Sequence, residues 1–342
     1  MKALRYLGPK QLSVDEIPDP IITEDEVLVK IMACGICGSD VHGYLGLTGR
    51  RTEPMTMGHE FSGQIVKTGK LVTTYKTGDK VIVQPLNFCG ICVNCLKGDT
   101  NMCLNSTLYG VMAVDGAMAE YLAVPDKLLF TLPDSVSYNV GAMTEPFAVA
   151  HGALKKVGSL TGKTVLIVGM GTIGQCLLQL VKLQNPKQII VSDLSETRLN
   201  LASELGADAP INPGKEDYLE AVRKLTDGDM VDVAIEAVGI APTVNQTIKS
   251  LKKMGVCLWV GNSAHGIEID MQEIVTRALT IFGTYIYTHA EFAEVIDIME
   301  TGSLSAEKLV SKVISLEEGV DAFKNLHEQP DEFIKVIINP TL

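Results

Sequence analysis

The chain has 342 residues, of which 46% are apolar and 20% are charged, a balance typical of globular proteins. This length exceeds what one hydrophobic core usually serves, so two domains are predicted. The formal net charge of −12 argues against a nucleic-acid partner, because such a partner selects a basic surface.

The sequence shows no sign of a membrane partner or of secretion. No apolar run reaches the length of a membrane-spanning helix, and Met1–Tyr6 leads directly into domain-like sequence without a signal-peptide pattern. We therefore expect a cytoplasmic protein. Its eight cysteines are then expected to be metal ligands or free thiols rather than disulfides.

Two strands are predicted before a turn that is rich in metal-binding side chains. Leu12–Glu16 and Glu26–Lys30 alternate between apolar and polar residues, as half-buried strands do. Glycines 35 and 38 end the second of these runs. A thiol, a hydroxyl, a carboxylate and an imidazole follow within six residues, on Cys37, Ser39, Asp40 and His42.

A second ligand-rich turn follows at Gly58–Glu60. A thiolate and an imidazole on separate loops suit Zn²⁺, and a site with only three protein ligands leaves a position open for chemistry. Taken alone, Cys37 and His59 would more often be a buried thiol and a hydrogen-bonded imidazole. The remaining motifs of the chain favour the zinc interpretation.

The loop Gly43–Met57, between these two turns, contains the pair Arg50-Arg51. Two adjacent cations can bind an anionic substrate. The competing interpretation is that both are solvated on an exposed loop, which is the more frequent situation for a small charge cluster.

Four cysteines then follow with the spacing C-x2-C-x2-C-x7-C, at Cys89, Cys92, Cys95 and Cys103. Four thiolates can close a tetrahedral shell, which is what a structural zinc requires. An iron–sulfur loop would need a shorter last gap and a proline after the last cysteine, where this chain has Leu104. The spacing predicts a structural zinc lobe at about 87–105.

The sequence changes character after Gly158. Thr164–Val168 is a continuous apolar run, as expected of a strand buried on both faces, and helical spacing begins at Ile173. Between them lie Gly169, Gly171 and Gly174. Glycines in this context let the backbone approach a pyrophosphate at a helix N-terminus, which predicts a dinucleotide site.

The next predicted strand, Gln188–Ser192, is followed by Asp193. An acid at this position can accept hydrogen bonds from an adenosine ribose and repels a 2′-phosphate, which predicts NAD rather than NADP. Arg198 is the nearby cation that can soften this preference. The other residues predicted to contact the cofactor are Thr172, Ile173, Val238 and Val260.

Strands and helices continue to alternate, which predicts a doubly wound parallel sheet. The predicted elements are the strand Val231–Ile235, the helix Pro242–Met254, and the strands Val256–Val260 and Leu279–Gly283. An amphipathic helix at Glu291–Glu300 and a closing strand at Phe333–Ile338 complete the chain.

At this point the chain resembles a known family. Gly58-His59-Glu60, followed by Gly63 and Gly69, resembles the zinc-site signature of the medium-chain alcohol dehydrogenase superfamily, and Cys37 lies where that family places its first catalytic zinc ligand. Alcohol dehydrogenases proper commonly carry a cysteine at the position of Glu145. The pair Glu145-Pro146 is instead similar to the sorbitol and butanediol dehydrogenase branch.

The resemblance implies an α/β plus β fold, with a GroES-like β-rich catalytic domain at 1–148 and 285–342 and an inserted Rossmann domain at 149–284. It also implies NAD, two Zn²⁺ per chain and a homodimer or homotetramer. Cys37 and His59 would bind the catalytic zinc, and the choice between Glu60, directly or through water, and Glu145, through water, stays open. Ser39 and His42 would relay a proton, and Asp40 would orient a ligand.

The implied activity is oxidation of a secondary hydroxyl of a polyol, sugar alcohol or vicinal diol. Some polyol dehydrogenases carry an Arg-Tyr pair where this chain has Ile286-Tyr287, which argues against ordinary sorbitol specificity. Arg50 and Arg51 motivate the alternative of a sugar-alcohol-phosphate dehydrogenase. A hypothesis of another class is a non-catalytic NAD-binding sensor or structural relative, against which the retention of Cys37 and His59 argues.

Overall fold

The computed structural model describes residues 1–112 and 114–342. The chain forms two compact units, and the second is inserted into the first. Unit 1 comprises Met1–Glu145, Thr288–Gly302 and Ala306–Leu342, and unit 2 comprises Pro146–Tyr287 and Ser303–Ser305. These units are defined by compactness alone, so the functional domains 1–148 with 285–342 and 149–284 stay a prediction.

Unit 1 is built mainly from β-strands. Its strands are β1 (Lys2–Gly8), β2 (Gln11–Glu16), β3 (Glu26–Gly35), β4 (Met55–Thr56), β5 (Glu60–Thr68), β6 (Lys80–Val83), β7 (Leu86–Asn87), β8 (Thr107–Leu108), β9 (Tyr121–Pro125), β10 (Leu129–Thr131), β17 (Val310–Ile314) and β18 (Lys335–Ile338). Its helices are α1 (Gly38–Tyr44), α2 (Tyr138–Ala142), α9 (His289–Glu300) and α10 (Gly319–Glu328). The helix α3 (Thr144–Lys155) crosses the division between the units.

The strand β3 organises the largest sheet of unit 1. This sheet has the order β10-β6-β5-β3-β18-β17, and β9 also pairs with β3. Gly35, at the end of β3, lies opposite Glu60 on one side and opposite Ile337 on the other. The end of β3, the start of β5 and the C-terminal strand β18 therefore meet at one point of the sheet.

Unit 2 contains one six-stranded sheet, in which every strand pair is parallel. Its strands are β11 (Thr164–Val168), β12 (Gln188–Ser192), β13 (Ala209–Ile211), β14 (Val231–Glu236), β15 (Leu251–Trp259) and β16 (Thr280–Gly283). Its helices are α4 (Thr172–Lys182), α5 (Glu196–Leu205), α6 (Tyr218–Leu225), α7 (Ala241–Ser250) and α8 (Met271–Val275).

The strand order of unit 2 is β13-β12-β11-β14-β15-β16. This is the order 3-2-1-4-5-6 of dinucleotide-binding folds. In such folds the strand order reverses between the first and fourth strands, and ligands bind there, outside the carboxyl ends of the strands. The side chains of β11 are buried along its whole length, as its continuous apolar sequence requires. The predicted doubly wound parallel sheet is confirmed.

The boundary between α7 and β15 differs most from the prediction, which has a helix up to Met254 and a strand only from Val256. The closing strand predicted at Phe333–Ile338 begins at Lys335. The helix predicted for Pro242–Met254 ends at Ser250, and β15 begins at Leu251. Leu251 is buried and pairs with Val231 of the neighbouring strand, while Met254 has a φ of +62°, which a helix does not accommodate. Pairing within the sheet thus overrides the local helical pattern.

The core of unit 1 is a cluster of buried aliphatic and aromatic side chains from the β-strands, and that of unit 2 packs around the parallel sheet. Among the residues that the structure describes, none of the helices combines the length and the apolar composition needed to span a membrane.

Candidate functional site

Cys37 lies where β3 gives way to the helix α1. It is the N-cap of that helix, with φ −85° and ψ 152°, and its Sγ accepts the Ser39 N–H at 3.5 Å. The Asp40 Oδ2 atom in turn accepts the Cys37 N–H at 3.1 Å, which completes a capping box. The capping box therefore holds the Cys37 thiol at the N-terminus of α1, directly after the end of β3.

Glu60 is the first residue of β5 and pairs with Gly35 at the end of β3, and His59 directly precedes it. A Cβ atom on Gly35 would collide with the Glu60 carboxylate, so this carboxylate needs glycine on the facing strand. The ligand atoms of Cys37, His59 and Glu60 all lie within 4.8 Å of one another. Sheet pairing thus brings together the residues of the two turns.

Asp40 lies behind His59, as expected of a residue that orients a metal ligand. Its Oδ1 atom is 3.4 Å from His59 Nδ1 and accepts a hydrogen bond from Arg51 Nη2 at 2.8 Å. Burial opposes the ionisation of Asp40, but His59 and Arg51 outweigh it and hold the pKa of that carboxyl below its ordinary value. The carboxylate is therefore charged at neutral pH.

The three ligands have the donor chemistry of a zinc site. Burial opposes protonation of His59, yet Asp40 and Cys37 outweigh burial and raise the pKa of His59 well above its ordinary value. The surroundings therefore favour positive charge at this imidazole. Its Nδ1 is buried without a hydrogen bond of good geometry. A thiolate, an imidazole and a carboxylate around one small space fit Zn²⁺.

Glu60 also has a second, buried partner that comes from the far end of the chain. Lys335, at the start of β18, donates to Glu60 Oε1 at 2.8 Å and to Oε2 at 2.6 Å. It donates as well to the Ile36 carbonyl at 3.0 Å. The Lys335 and Glu60 side chains are each 2% exposed. All three ammonium protons thus have acceptors.

The other residues predicted at this centre occupy less constrained positions. Glu145 is buried in the first turn of α3, where the helix dipole favours a carboxylate, and it is not one of the three described residues whose ligand atoms cluster. Ser39 is exposed and His42 is half-buried, both on α1. The roles of Glu145, Ser39 and His42 stay predictions.

The four cysteines of the predicted lobe form a second candidate metal centre. Their Sγ atoms lie within 4.8 Å of one another: Cys103 is 3.5 Å from Cys89, Cys89 is 4.0 Å from Cys95, and Cys92 is 4.0 Å from Cys103. Four sulfurs bonded to zinc at about 2.3 Å are roughly 3.8 Å apart. The geometry therefore fits a tetrahedral Cys₄ zinc.

The electrostatics of these sulfurs support the same conclusion. The backbone N–H groups of Cys95 and Leu104 lower the pKa of Cys92 to about 6, whereas burial raises the pKa of Cys95 to about 12. Without a cation the thiols cannot all be ionised together, because each thiolate opposes the next. A bound dication removes this conflict.

The glycine-rich turn of unit 2 has the geometry that a pyrophosphate requires. Gly169 has a φ of +94°, and Gly171 is the N-cap of α4, whose first turn contains Thr172 and Ile173. A Cβ on Gly174 would collide with the Gly169 carbonyl, so this turn is as tight as glycine allows. The first N–H groups of α4 are then available to an anion.

The adenosine side of the predicted cofactor site follows β12. Asp193 Oδ2 accepts the Met170 N–H at 2.7 Å, and Oδ1 accepts the Ser195 N–H at 2.8 Å. Arg198 Nη1 lies 3.9 Å from the same carboxylate. Each oxygen keeps a second lone pair for a ribose hydroxyl. Val238 and Val260 follow β14 and β15 at the carboxyl edge of the sheet.

Two charged residues at the first centre were not predicted to act there. The sequence favours an anion-binding or a solvated side chain at Arg51, but this residue is buried against Asp40, so neither interpretation holds for it. No role is predicted for Lys335. The only signal for it was a lysine within an otherwise apolar strand, and no local signal separates Arg51 from Arg50.

Comparison with known proteins agrees with this geometry. Residues 23–134 match the family described as Alcohol dehydrogenase GroES-like domain, and residues 172–301 match Zinc-binding dehydrogenase. The chain is similar to the sorbitol dehydrogenase of Bacillus subtilis (strain 168), with 33% identity over 99% of this chain and 97% of that protein. The D-arabitol-phosphate dehydrogenase of Enterococcus avium is 32% identical over 97% and 96% of the two chains.

A solved structure from Sinorhizobium meliloti 1021, bound to NADP, has 33% identity, a TM-score of 0.92 and 99% coverage of both chains. These likenesses span the whole chain and confirm the predicted fold class, a GroES-like domain combined with a Rossmann-type parallel sheet. They also confirm that the protein is an oxidoreductase that uses zinc, a nicotinamide cofactor and a small-molecule substrate. The chain belongs to the zinc-containing medium-chain alcohol dehydrogenase superfamily, in its polyol dehydrogenase branch.

Proposed function

We propose that this protein oxidises a secondary hydroxyl of a polyol, sugar alcohol or vicinal diol to a ketone, reversibly and with NAD⁺ as hydride acceptor. The observation that carries the proposal is the cluster of Cys37, His59 and Glu60 ligand atoms within 4.8 Å of one another. Cys37 and His59 would hold a catalytic Zn²⁺, with Glu60 or a water-linked Glu145 completing the shell. The four-cysteine lobe would hold a second, structural Zn²⁺.

Bound zinc supplies a Lewis acid, which lowers the pKa of the substrate hydroxyl and prepares it to lose hydride to nicotinamide. The protein's part is to set the charge around this site. Asp40 is offset by Arg51, and Glu60 is offset by Lys335, each within a buried ion pair. Among these four side chains and Cys37, only the Cys37 thiolate would remain uncompensated. Cys37 would therefore set one negative charge against the two positive charges of a bound zinc, and the remaining positive charge would favour an ionised substrate.

The proton released by the substrate needs a path to solvent. Ser39 and His42 are three residues apart on α1, so their side chains project from the same side of the helix. Exposed Ser39 follows directly after the Cys37 turn, and half-buried His42 comes one turn later. We assign the relay to this pair, with Ser39 accepting the proton first and His42 passing it to water.

The preference for NAD rests on Asp193. A 2′-phosphate would meet this carboxylate, whereas a ribose hydroxyl can donate to it. Arg198, whose Nη1 lies 3.9 Å from Asp193, is a cation that could favour the phosphate instead, and the relative from Sinorhizobium meliloti was solved bound to NADP. Arg198 already pairs with Asp193, so we expect the acid to dominate.

Wild-type protein is expected to have a higher kcat/KM for NAD⁺ than for NADP⁺. Asp193→Asn should narrow that ratio by at least about tenfold, because it removes the charge that repels the phosphate and keeps an oxygen that can accept the Ser195 N–H. Steady-state kinetics with both cofactors measures the ratio, which cancels any general loss of active protein. A wild-type preference for NADP⁺ would contradict the assignment.

The substrate class follows from the polarity of the metal centre. Two buried carboxylates belong to this centre: Glu60 is in the ligand cluster, and Asp40 contacts His59 and Cys37. Glu145, the candidate for a water-linked ligand, is buried as well. A carboxylate is a harder ligand than a thiolate, and it is readily satisfied by water or by a hydroxyl. Such surroundings accept a molecule with adjacent hydroxyls better than one hydroxyl on an apolar tail.

A panel of polyols, vicinal diols, sugar-alcohol phosphates and primary alcohols, assayed for NAD⁺ reduction, tests the proposed function. We expect the best polyol or diol to exceed ethanol in kcat/KM by about 10³ or more, because polar groups of the site stay unpaired when the second hydroxyl is missing. His59→Ala should abolish turnover and serves as the control for contaminating activity. Ethanol used as efficiently as every polyol would refute the proposal.

The second candidate is a sugar-alcohol-phosphate substrate. It is favoured by exposed Arg50, and it is compatible with the likeness to D-arabitol-phosphate dehydrogenase. Buried Arg51 gives it no support. The phosphorylated members of the panel decide between the two. Turnover of any member also excludes a non-catalytic NAD-binding sensor. A homodimer or homotetramer and a cytoplasmic location stay predictions.

A further inference from the structure

Arg51 is a buried cation in a loop between α1 and β4. Its side chain is 3% exposed, and that of its partner Asp40 is 0% exposed. The aliphatic stem of Arg51 packs over Gly43 of α1, where an added Cβ would lie 2.6 Å from Arg51 Cγ. Glycine within a helix costs about 1 kcal/mol relative to alanine, so the chain leaves space for this arginine at some expense.

The ion pair is costly in another respect. Desolvation of two buried charges offsets much of their mutual attraction, and the Arg51 Nε atom is buried without a hydrogen-bond partner among the described residues. A hydrophobic pair of similar volume would serve stability as well or better. Stability alone therefore gives a weak reason for placing Arg51 here.

The contacts of Asp40 indicate a stronger reason. Its Oδ1 atom faces both Arg51 Nη2, at 2.8 Å, and His59 Nδ1, at 3.4 Å. Its Oδ2 atom holds the backbone N–H of Cys37 at 3.1 Å. One carboxylate thus touches both non-carboxylate ligands of the metal centre, and Arg51 is the cation that holds this carboxylate in place.

We infer that Arg51 is a positioning residue for the catalytic metal. It fixes Asp40, and through Asp40 it fixes the ring orientation of His59 and the backbone of Cys37, instead of binding an anionic substrate. This inference rests on the metal centre proposed above. Partners behind a metal ligand typically change metal affinity by 10- to 100-fold when they are removed, so the effect should be visible in zinc binding itself.

The neighbouring arginine provides a matched control. Arg50→Met removes the same charge one residue away, from an exposed side chain outside the cluster. Arg51→Met removes the buried guanidinium and keeps most of the stem, Arg51→Gln keeps a neutral donor, and Arg51→Lys keeps the charge without the planar fork. Titration of zinc-loaded full-length protein with a chelator gives the zinc affinity, and metal analysis gives the number of zinc ions per chain. The melting temperature of zinc-depleted protein is recorded separately.

We expect the dissociation constant of the more weakly held zinc to be 10- to 100-fold higher in Arg51→Met than in wild type. The zinc affinity of Arg50→Met should equal that of wild type. Among the Arg51 variants, Arg51→Lys should have the zinc affinity nearest to wild type. A folded Arg51→Met or, if that variant does not fold, Arg51→Gln with wild-type zinc affinity overturns the inference. A lower melting temperature with unchanged zinc affinity is the result of a purely structural ion pair and overturns it as well.

Failure of the underlying metal centre gives a different result. His59→Ala should lower the zinc content of the chain by one. If wild type and His59→Ala hold the same number of zinc ions, the proposed centre is wrong, whatever the Arg51 variants do. If the content falls in His59→Ala and zinc affinity stays unchanged in Arg51→Met, the centre is right and the role of Arg51 is wrong.

Discussion

Replacing Lys335 with methionine is expected to lower the free energy of unfolding by about 3–5 kcal/mol, the usual loss when one partner of a buried ion pair is removed. The Glu60 carboxylate would remain buried, with neither of its oxygens facing the ammonium that now lies at 2.8 and 2.6 Å. The Ile36 carbonyl would lose its lysine donor too. Urea-induced unfolding followed by a fluorescence or circular dichroism signal measures the loss.

Two further variants separate the buried pair from lysine removal in general. Lys312 lies on the adjacent strand β17, is half-exposed and pairs with Glu318 at 3.3 Å. Lys312→Met should therefore change stability by less than about 1 kcal/mol. Adding Glu60→Met to Lys335→Met should recover much of the loss, because no unpaired charge remains. A Lys335→Met protein as stable as the Lys312→Met control would contradict the assigned burial of this pair.

The same pair shows what the sequence could and could not predict. The glycine-rich turn at Gly169–Gly174 and the strands on either side of it were predictable, since each depends on residues close together in sequence. The four-cysteine lobe was predictable for the same reason, because ligand spacing encodes its geometry. Cys37 and His59 could be paired from their ligand chemistry, whereas Glu60 and Glu145 entered as alternative partners through a family resemblance.

Contacts between residues that are far apart in the chain leave no such local pattern in the sequence. Lys335 reaches Glu60 because β18 pairs with β3 next to β5, and a single sequence does not encode that strand order. Arg51 and Arg50 are identical in type and adjacent, and only the packing of the loop over Gly43 separates the buried one from the exposed one. The end of α7 was predicted four residues too late because sheet pairing of Leu251 competes with local helical spacing.

Cys95→Ser is expected to remove one zinc per chain and to lower the melting temperature, while the hydride-transfer step of the surviving protein stays nearly unchanged. A Cys₄ site binds its metal only in the folded chain, so its binding free energy is part of the folding free energy. Zinc analysis and thermal melting measure both effects. Cys257→Ser removes a buried thiol outside the described metal clusters and should leave the zinc content unchanged.

The structure also indicates that Cys95→Ser should affect a segment outside the four-cysteine lobe, at the start of α9. Thr100 lies between Cys95 and Cys103, and its Oγ1 accepts the backbone N–H of His289 at 2.8 Å. The His289 ring contacts Phe88, next to Cys89, with ring centroids 5.3 Å apart, and its Nδ1 lies 2.6 Å from Gln84 Oε1. The lobe therefore holds the first residue of α9, far away in sequence.

Loss of the metal should consequently increase hydrogen exchange at the N-terminus of α9 as well as within 87–105, because the acceptor of the His289 amide lies on the lobe that becomes disordered. Thr100→Val provides the matched control: it removes that acceptor alone, so it should raise exchange at His289 and leave the zinc content unchanged. Hydrogen exchange of the full-length protein, followed by digestion and mass spectrometry of the peptides, resolves the two segments.

If Cys95→Ser retains two zinc ions and the wild-type melting temperature, the lobe is not a metal centre. If zinc is lost while exchange at α9 stays at the wild-type rate, the lobe binds zinc without supporting this helix.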